Sequence, residues 1–177
     1  DFDRARDFYR RALSHVADFP PSLDAYLRIL EREGDWKGLA QVLANAAEVS
    51  RDSNEVVSLT YRSARVLADC AGDPEGAAIQ LKRCLELSPG FLPAIALLRE
   101  LSASTGDWRR VLELQRQESD GAEERGQRHW RLMAAAEASE RIDGGDALAV
   151  VREVLSEDER HPGALRFLEA RAWKSGT

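Results

Sequence analysis

The chain has 177 residues, of which 44% are apolar and 32% charged, and carries a net charge of −6. That balance suits amphipathic helices, argues against disorder, and leaves too little clustered positive charge for a general polyanion-binding surface. No apolar run approaches the roughly 20 residues that cross a bilayer, and no signal-peptide pattern is visible.

Apolar periodicity and punctuation predict ten helices, over 2–16, 21–33, 36–50, 55–70, 74–87, 92–105, 108–119, 125–141, 146–157 and 162–174. Gly34, Gly72, Gly106 and Gly145 are expected to end helices in a left-handed conformation that glycine adopts without strain. The next residue is Asp each time: Asp35, Asp73, Asp107 and Asp146. A carboxylate there can accept from the free N–H groups that open the following helix. Asp73 is followed by Pro74, which suits the first helical position. Ser88-Pro89 and His161-Pro162 mark a second kind of joint.

The chain also repeats itself. FPPSLDAYLRILEREGDW, 19–36, returns 72 residues later as FLPAIALLRELSASTGDW, 91–108, and a weaker copy occupies 161–176. The Gly-Asp steps are 38, 34 and 39 residues apart, so the period is a pair of non-identical helical hairpins. Short links force neighbouring helices antiparallel, and a stripe such as Leu39, Val42, Leu43 and Ala46 must face an adjacent hairpin.

At GDPEGAAIQLKRCLELSP, 72–89, the residues resemble the second half of a tetratricopeptide repeat: Gly72-Asp73 at the turn, small Ala77, bulky Leu81, small Cys84 and closing Pro89. DFDRARDFYRRAL, 1–13, presents the same series through Asp1, Ala5, Tyr9 and Ala12, and GDALAVVREVLSEDERHP a looser one through Val150 and Val154. The Gly-Asp-Trp hairpins depart from the pattern. Leu39 and Val111 stand where the family has alanine, Glu118 where a small residue is usual, and Tyr26-Leu27 and Leu98-Arg99 replace its Leu-Gly pair. The resemblance covers nearly the whole length. It implies an all-α fold, a right-handed α-solenoid of antiparallel helical hairpins, with 1–177 as a single segment. Asp1 corresponds to Asp73 and Gly176 to Gly106, and no polar cap is evident at either end. We therefore expect a segment of a longer array, or ends covered by partners, with self-association through uncapped ends as a hazard.

Candidate chemistry is sparse. His15, His129 and His161 are scattered, far from Cys70 and Cys84 in the repeat order, and match no zinc-ligand spacing. We expect no metal, no cofactor and no catalytic residues, since no nucleophile elbow or phosphate loop occurs. Glu157-Asp158-Glu159 and Glu123-Glu124 read as solvated charge runs. Both cysteines read as small buried residues, too few for a disulfide framework, which leans towards a reducing, cytoplasmic compartment. Trp36 and Trp108 are expected to pack at their turns, and Trp130 and Trp173 to join the core, Trp173 being the readiest exception. The stretches 117–128 and 48–55 read as longer connections on one edge.

In the resembled family the first helix of each hairpin lines a concave groove that holds a peptide. Carried over, this implies groove-facing Asp24, Arg28, Arg32, Arg62 and Glu100, with the arginines able to fork onto an acidic peptide. The plain reading is surface arginines in ordinary i,i+4 pairs. The expected function is a non-enzymatic protein-interaction scaffold with a protein or peptide partner, part of a larger assembly protein. The alternative is a regulatory or sensory module attached to a catalytic domain outside these residues. RNA binding is the weakest reading, because it requires a basic inner face.

Overall fold

A computed structural model describes residues 20–175, with side chains described from 23 to 174. The helix expected over 2–16, His15 and the terminal correspondences at Asp1 and Gly176 lie outside the described residues. Those residues form nine α-helices and no strand. They are α1 (Pro20–Glu33), α2 (Trp36–Val49), α3 (Ser53–Asp69), α4 (Pro74–Leu87), α5 (Leu92–Ser104), α6 (Trp108–Asp120), α7 (Arg125–Glu140), α8 (Ala147–Glu157) and α9 (Pro162–Ser175). Among the described residues no helix is long and apolar enough to cross a membrane.

The starts of the helices follow from the Gly-Asp steps. Asp35, Asp73, Asp107 and Asp146 each accept a hydrogen bond from the backbone N–H three residues on, at 2.9, 2.9, 3.1 and 3.0 Å. The donor is Gly38 or Gly76 in the first two and Arg110 or Ala149 in the others, so the cap forms with or without a side chain there. Asp52 opens α3 in the same way, accepting from Asn54 and Glu55. Gly34 and Gly106 have φ of +70° and +76°, the left-handed region that a side chain disfavours. In both turns the indole Nε1, of Trp36 and Trp108 respectively, lies about 4 Å from where a Cβ on the glycine would stand. The expected packing of these two tryptophans at their turns is therefore what the fold contains.

The fourth turn corrects the sequence reading. Gly144, at φ +75°, takes the left-handed conformation, and Gly145 does not. Gly145 is needed for space instead: a Cβ there would collide with the Ser139 carbonyl oxygen. The connections also prove shorter than expected. Helix α6 continues to Asp120 and α3 begins at Ser53, which leaves 121–124 and 50–52 between helices.

Two compact units divide between Ala94 and Ile95. In the first, Tyr26, Leu27 and Leu30 of α1 meet Leu39, Leu43, Ala46 and Ala47 of α2 and Leu59 of α3, with Val42 packed against them. Helix α3 approaches both α2 and α4 closely. Small side chains permit this: Ala40 and Ala44 on α2, Ser63 and Ala64 on α3, and Ala77 and Cys84 on α4 are all buried. Ser63 donates to the Ala40 carbonyl at 2.8 Å, tying α3 to the α2 backbone. Bulky Leu81 lies fully buried between the small positions of α4. Phe91 meets Tyr61 edge to face at 5.3 Å.

In the second unit, α6 packs against α7, α7 against α8, and α8 against α9. Leu132, Ala135 and Ala136 of α7, Val150, Val151 and Val154 of α8 and Ala164 of α9 form its core. Two expectations fail on exposure. Trp130 and Trp173 are 61% and 89% exposed, because the inward stripe of α7 runs through His129, Leu132 and Ala136 and that of α9 through Ala164. Cys70 is exposed at the C-terminal end of α3, beyond the packed length of the helix, whereas Cys84 is buried.

Candidate functional site

The groove residues inferred from the resemblance all lie on the surface. Asp24, Arg28 and Arg32 recur every fourth residue along α1, so they share one exposed strip, while Tyr26, Leu27 and Leu30 fill the buried one. Arg62 is exposed on α3 between buried Thr60 and Ser63. These four belong to the first unit. Glu100 is exposed on α5 in the second. The plain i,i+4 pairing does occur on α3, where Arg65 reaches Asp69 at 3.1 Å. Among the described residues no ion pair engages Arg28 or Arg62. The first unit also has a cleft of about 310 Å³ lined by Lys37, Ala44 and Glu48 of α2, Ser63 and Leu67 of α3, and Gln80 and Arg83 of α4.

The second unit holds an arrangement that sequence reading missed. The buried stripe of α6 runs Val111, Leu114, Gln115, Glu118, Ser119, apolar in its first half and polar in its second. The Glu118 side chain is only 2% exposed. Its Oε2 receives Arg131 Nη1 of α7 at 3.1 Å and lies 3.1 Å from Arg99 Nε of α5. One carboxylate is thus held between two guanidiniums that remain about a quarter exposed, at 28% and 27%. The signal in the sequence was an acid on the helical period of a buried stripe, at the place where a small residue was expected. A buried acid requires cationic partners.

The histidines are a further correction. His129 and His161 are 32 positions apart in sequence, yet their rings meet edge to face at 5.2 Å. His129 is buried and its Nε2 lies 3.1 Å from Glu157 Oε2. His161 Nδ1 accepts the Ala164 N–H at 3.2 Å and so caps α9. Arg128 reaches both Glu153 and Glu157, at 3.3 and 3.2 Å, and Arg116 approaches Glu153 at 3.6 Å. Glu157 is therefore part of a packed network rather than a freely solvated charge, while Glu123, Glu124 and Glu159 are exposed. Among the described residues no three His, Cys, Asp or Glu side chains are placed to hold a metal ion.

Consecutive capped helices, small residues at the close approaches and a core shared between neighbours define an all-helical repeat protein built from hairpins. The structure is similar to the crystal structure of YrrB, a TPR protein with an unusual peptide-binding site. The alignment covers 95% of this chain and 84% of that one, with a TM-score of 0.52 and 17% sequence identity. At that identity the likeness establishes the fold, which is that of a tetratricopeptide-type helical repeat. No family model matches the sequence, and no curated protein matches it.

Proposed function

We propose that this chain is a non-enzymatic protein-interaction scaffold that holds a peptide or protein partner on the face of its first helices, the concave face of the resembled family. The observation that carries the reading is the repeat fold, together with the exposed strip of Asp24, Arg28 and Arg32 on α1. Arg62 extends the contact set within the first unit, Glu100 marks the first-helix face of the second, and the chain acts as part of a larger assembly protein. Two or more guanidiniums on such a face suit an acidic partner, because each can fork onto a carboxylate. YrrB, whose fold is similar, has an unusual peptide-binding site.

The test is affinity capture with the parent and with an Arg28→Glu, Arg32→Glu, Arg62→Glu variant that keeps its helical circular dichroism. We expect a partner held by the parent and lost by the variant. Hydrogen bonds to charged groups contribute about 1.5–3 kcal/mol each, so three reversals exceed a hundredfold in affinity. A partner held equally by both would move the interface elsewhere, with the cleft between α2 and α4 as the next place to look.

A further inference from the structure

We propose that the Asp143-Gly144 step between α7 and α8 is a covalent modification site, where Asp143 cyclises onto the following amide and reopens as isoaspartate. The chain has two Asp-Gly steps, Asp120-Gly121 and Asp143-Gly144. Glycine after the acid favours the reaction, since no Cβ shields the attacking nitrogen. Both acids are exposed, so the amide decides between them. The Gly121 N–H donates to the Gln117 carbonyl at 3.2 Å and closes α6. Asp143 and Gly144 are instead the central residues of a turn closed by the Gly145 N–H on the Ile142 carbonyl at 2.9 Å, with Gly144 at φ +75°. Among the described residues no hydrogen bond engages the Gly144 N–H or the Asp143 carbonyl, and no hydrogen bond or ion pair engages the Asp143 carboxylate.

The peptide between Asp143 and Gly144 therefore turns without breaking a hydrogen bond, and a Cβ on Gly144 would meet nothing within 4 Å, so solvent reaches it from that side. The Gly144 nitrogen attacks Asp143 Cγ. A C–N bond forms, a C–O bond breaks, and the carboxyl hydroxyl leaves with the amide proton as water. Water then opens the ring. Attack on the side-chain carbonyl returns aspartate, whereas attack on the main-chain carbonyl breaks its C–N bond and leaves the chain running through the Asp143 methylene. Water is the only co-reactant, and the charge of the site is kept. The product matters because the turn has no slack. Gly145 stands where a Cβ would collide with the Ser139 carbonyl oxygen, and Asp146 caps α8 through the Ala149 N–H at 3.0 Å. An extra main-chain carbon just before these residues displaces the cap and loosens the joint between α7 and α8.

The test is prolonged incubation of the full chain at neutral pH, folded and in urea, followed by peptide mapping with electron-transfer fragmentation, which separates isoaspartate from aspartate. In the folded chain we expect isoaspartate to form about tenfold faster at Asp143 than at Asp120, the factor that a small local opening cost at Gly121 imposes. In urea the two rates should converge, since both are Asp-Gly steps. Asp143→Asn should close the same ring faster, releasing ammonia, and Asp143→Glu, whose side chain is too long for that ring, should not convert. Amide exchange should then be faster at the start of α8 in the aged chain than in the aged Asp143→Glu chain, with α2 and α3 alike in both. Asp120 converting as fast as Asp143 in the folded chain would overturn the proposal, as would the same preference for Asp143 in urea. Isoaspartate at Asp143 with unaltered exchange in α8 would overturn it too.

Discussion

Glu118 is where single-residue physics has the largest consequence. A carboxylate 2% exposed between Arg99 and Arg131 is tolerable only while both cations stay. Glu118→Ala leaves two partly buried guanidiniums without their anion, and breaking such a pair costs about 3–5 kcal/mol. Urea denaturation should show that loss; a change below about 1 kcal/mol would mean the site is solvated in solution. The thiols divide just as sharply. Cys70 is exposed and Cys84 buried, and burial pushes the Cys84 thiol up from its ordinary value. At neutral pH a disulfide reagent should therefore titrate one thiol in the folded chain and two after unfolding. Because the folded value is raised, the stability linked to Cys84 is complete below the ordinary thiol range and lost as pH rises through the folded value. Residue identities were readable in the sequence, but their exposure was not. Trp130 falls just off the inward stripe of α7, and Cys70 lies one residue past the end of α3.

At the scale of elements, caps and turns carried most of the legible information. The Asp residue after each turn was enough to place the starts of α2, α4, α6 and α8, because an N-cap is a local interaction. Asp107→Ala should cost about 0.5–2 kcal/mol, and Asp35→Ala a similar amount, read as the shift in a thermal melt. The Gly144-Gly145 pair was only half legible. Adjacent glycines give the same composition, and the choice between them depends on where the Ser139 carbonyl lies. Gly145→Ala should therefore destabilise more than Gly144→Ala. The Gly144 change strains one backbone angle by about 1 kcal/mol, while the Gly145 change drives a methyl group into backbone. Equal melting temperatures for the two variants would contradict this turn geometry. The role of the polar half of the α6 stripe was not legible for a related reason. Its partners Arg99 and Arg131 come from the helices before and after it, and periodicity within one helix cannot show them.

Across the molecule, the 72-residue period and the tetratricopeptide resemblance pointed to a helical repeat, and the fold has that character. Asp24, Arg28, Arg32, Arg62 and Glu100 were legible as exposed helix positions, whereas the clasp at Glu118 and the meeting of His129 with His161 needed the packing of α6, α7, α8 and α9. Repeat folds distribute stability among neighbouring units, so damage stays local. Glu118→Ala should accelerate amide exchange in α6 and α7 while α1, α2 and α3, whose shared core includes Leu30, Leu43 and Leu59, keep their protection. A uniform loss of protection in both units would show one cooperative block instead. The proposed hold of a partner on the first helices is tested by amide exchange of the chain with a captured partner bound. New protection is expected over α1 and α3, around Arg28, Arg32 and Arg62. Protection confined to α2 and α4, with α1 and α3 unchanged, would contradict it.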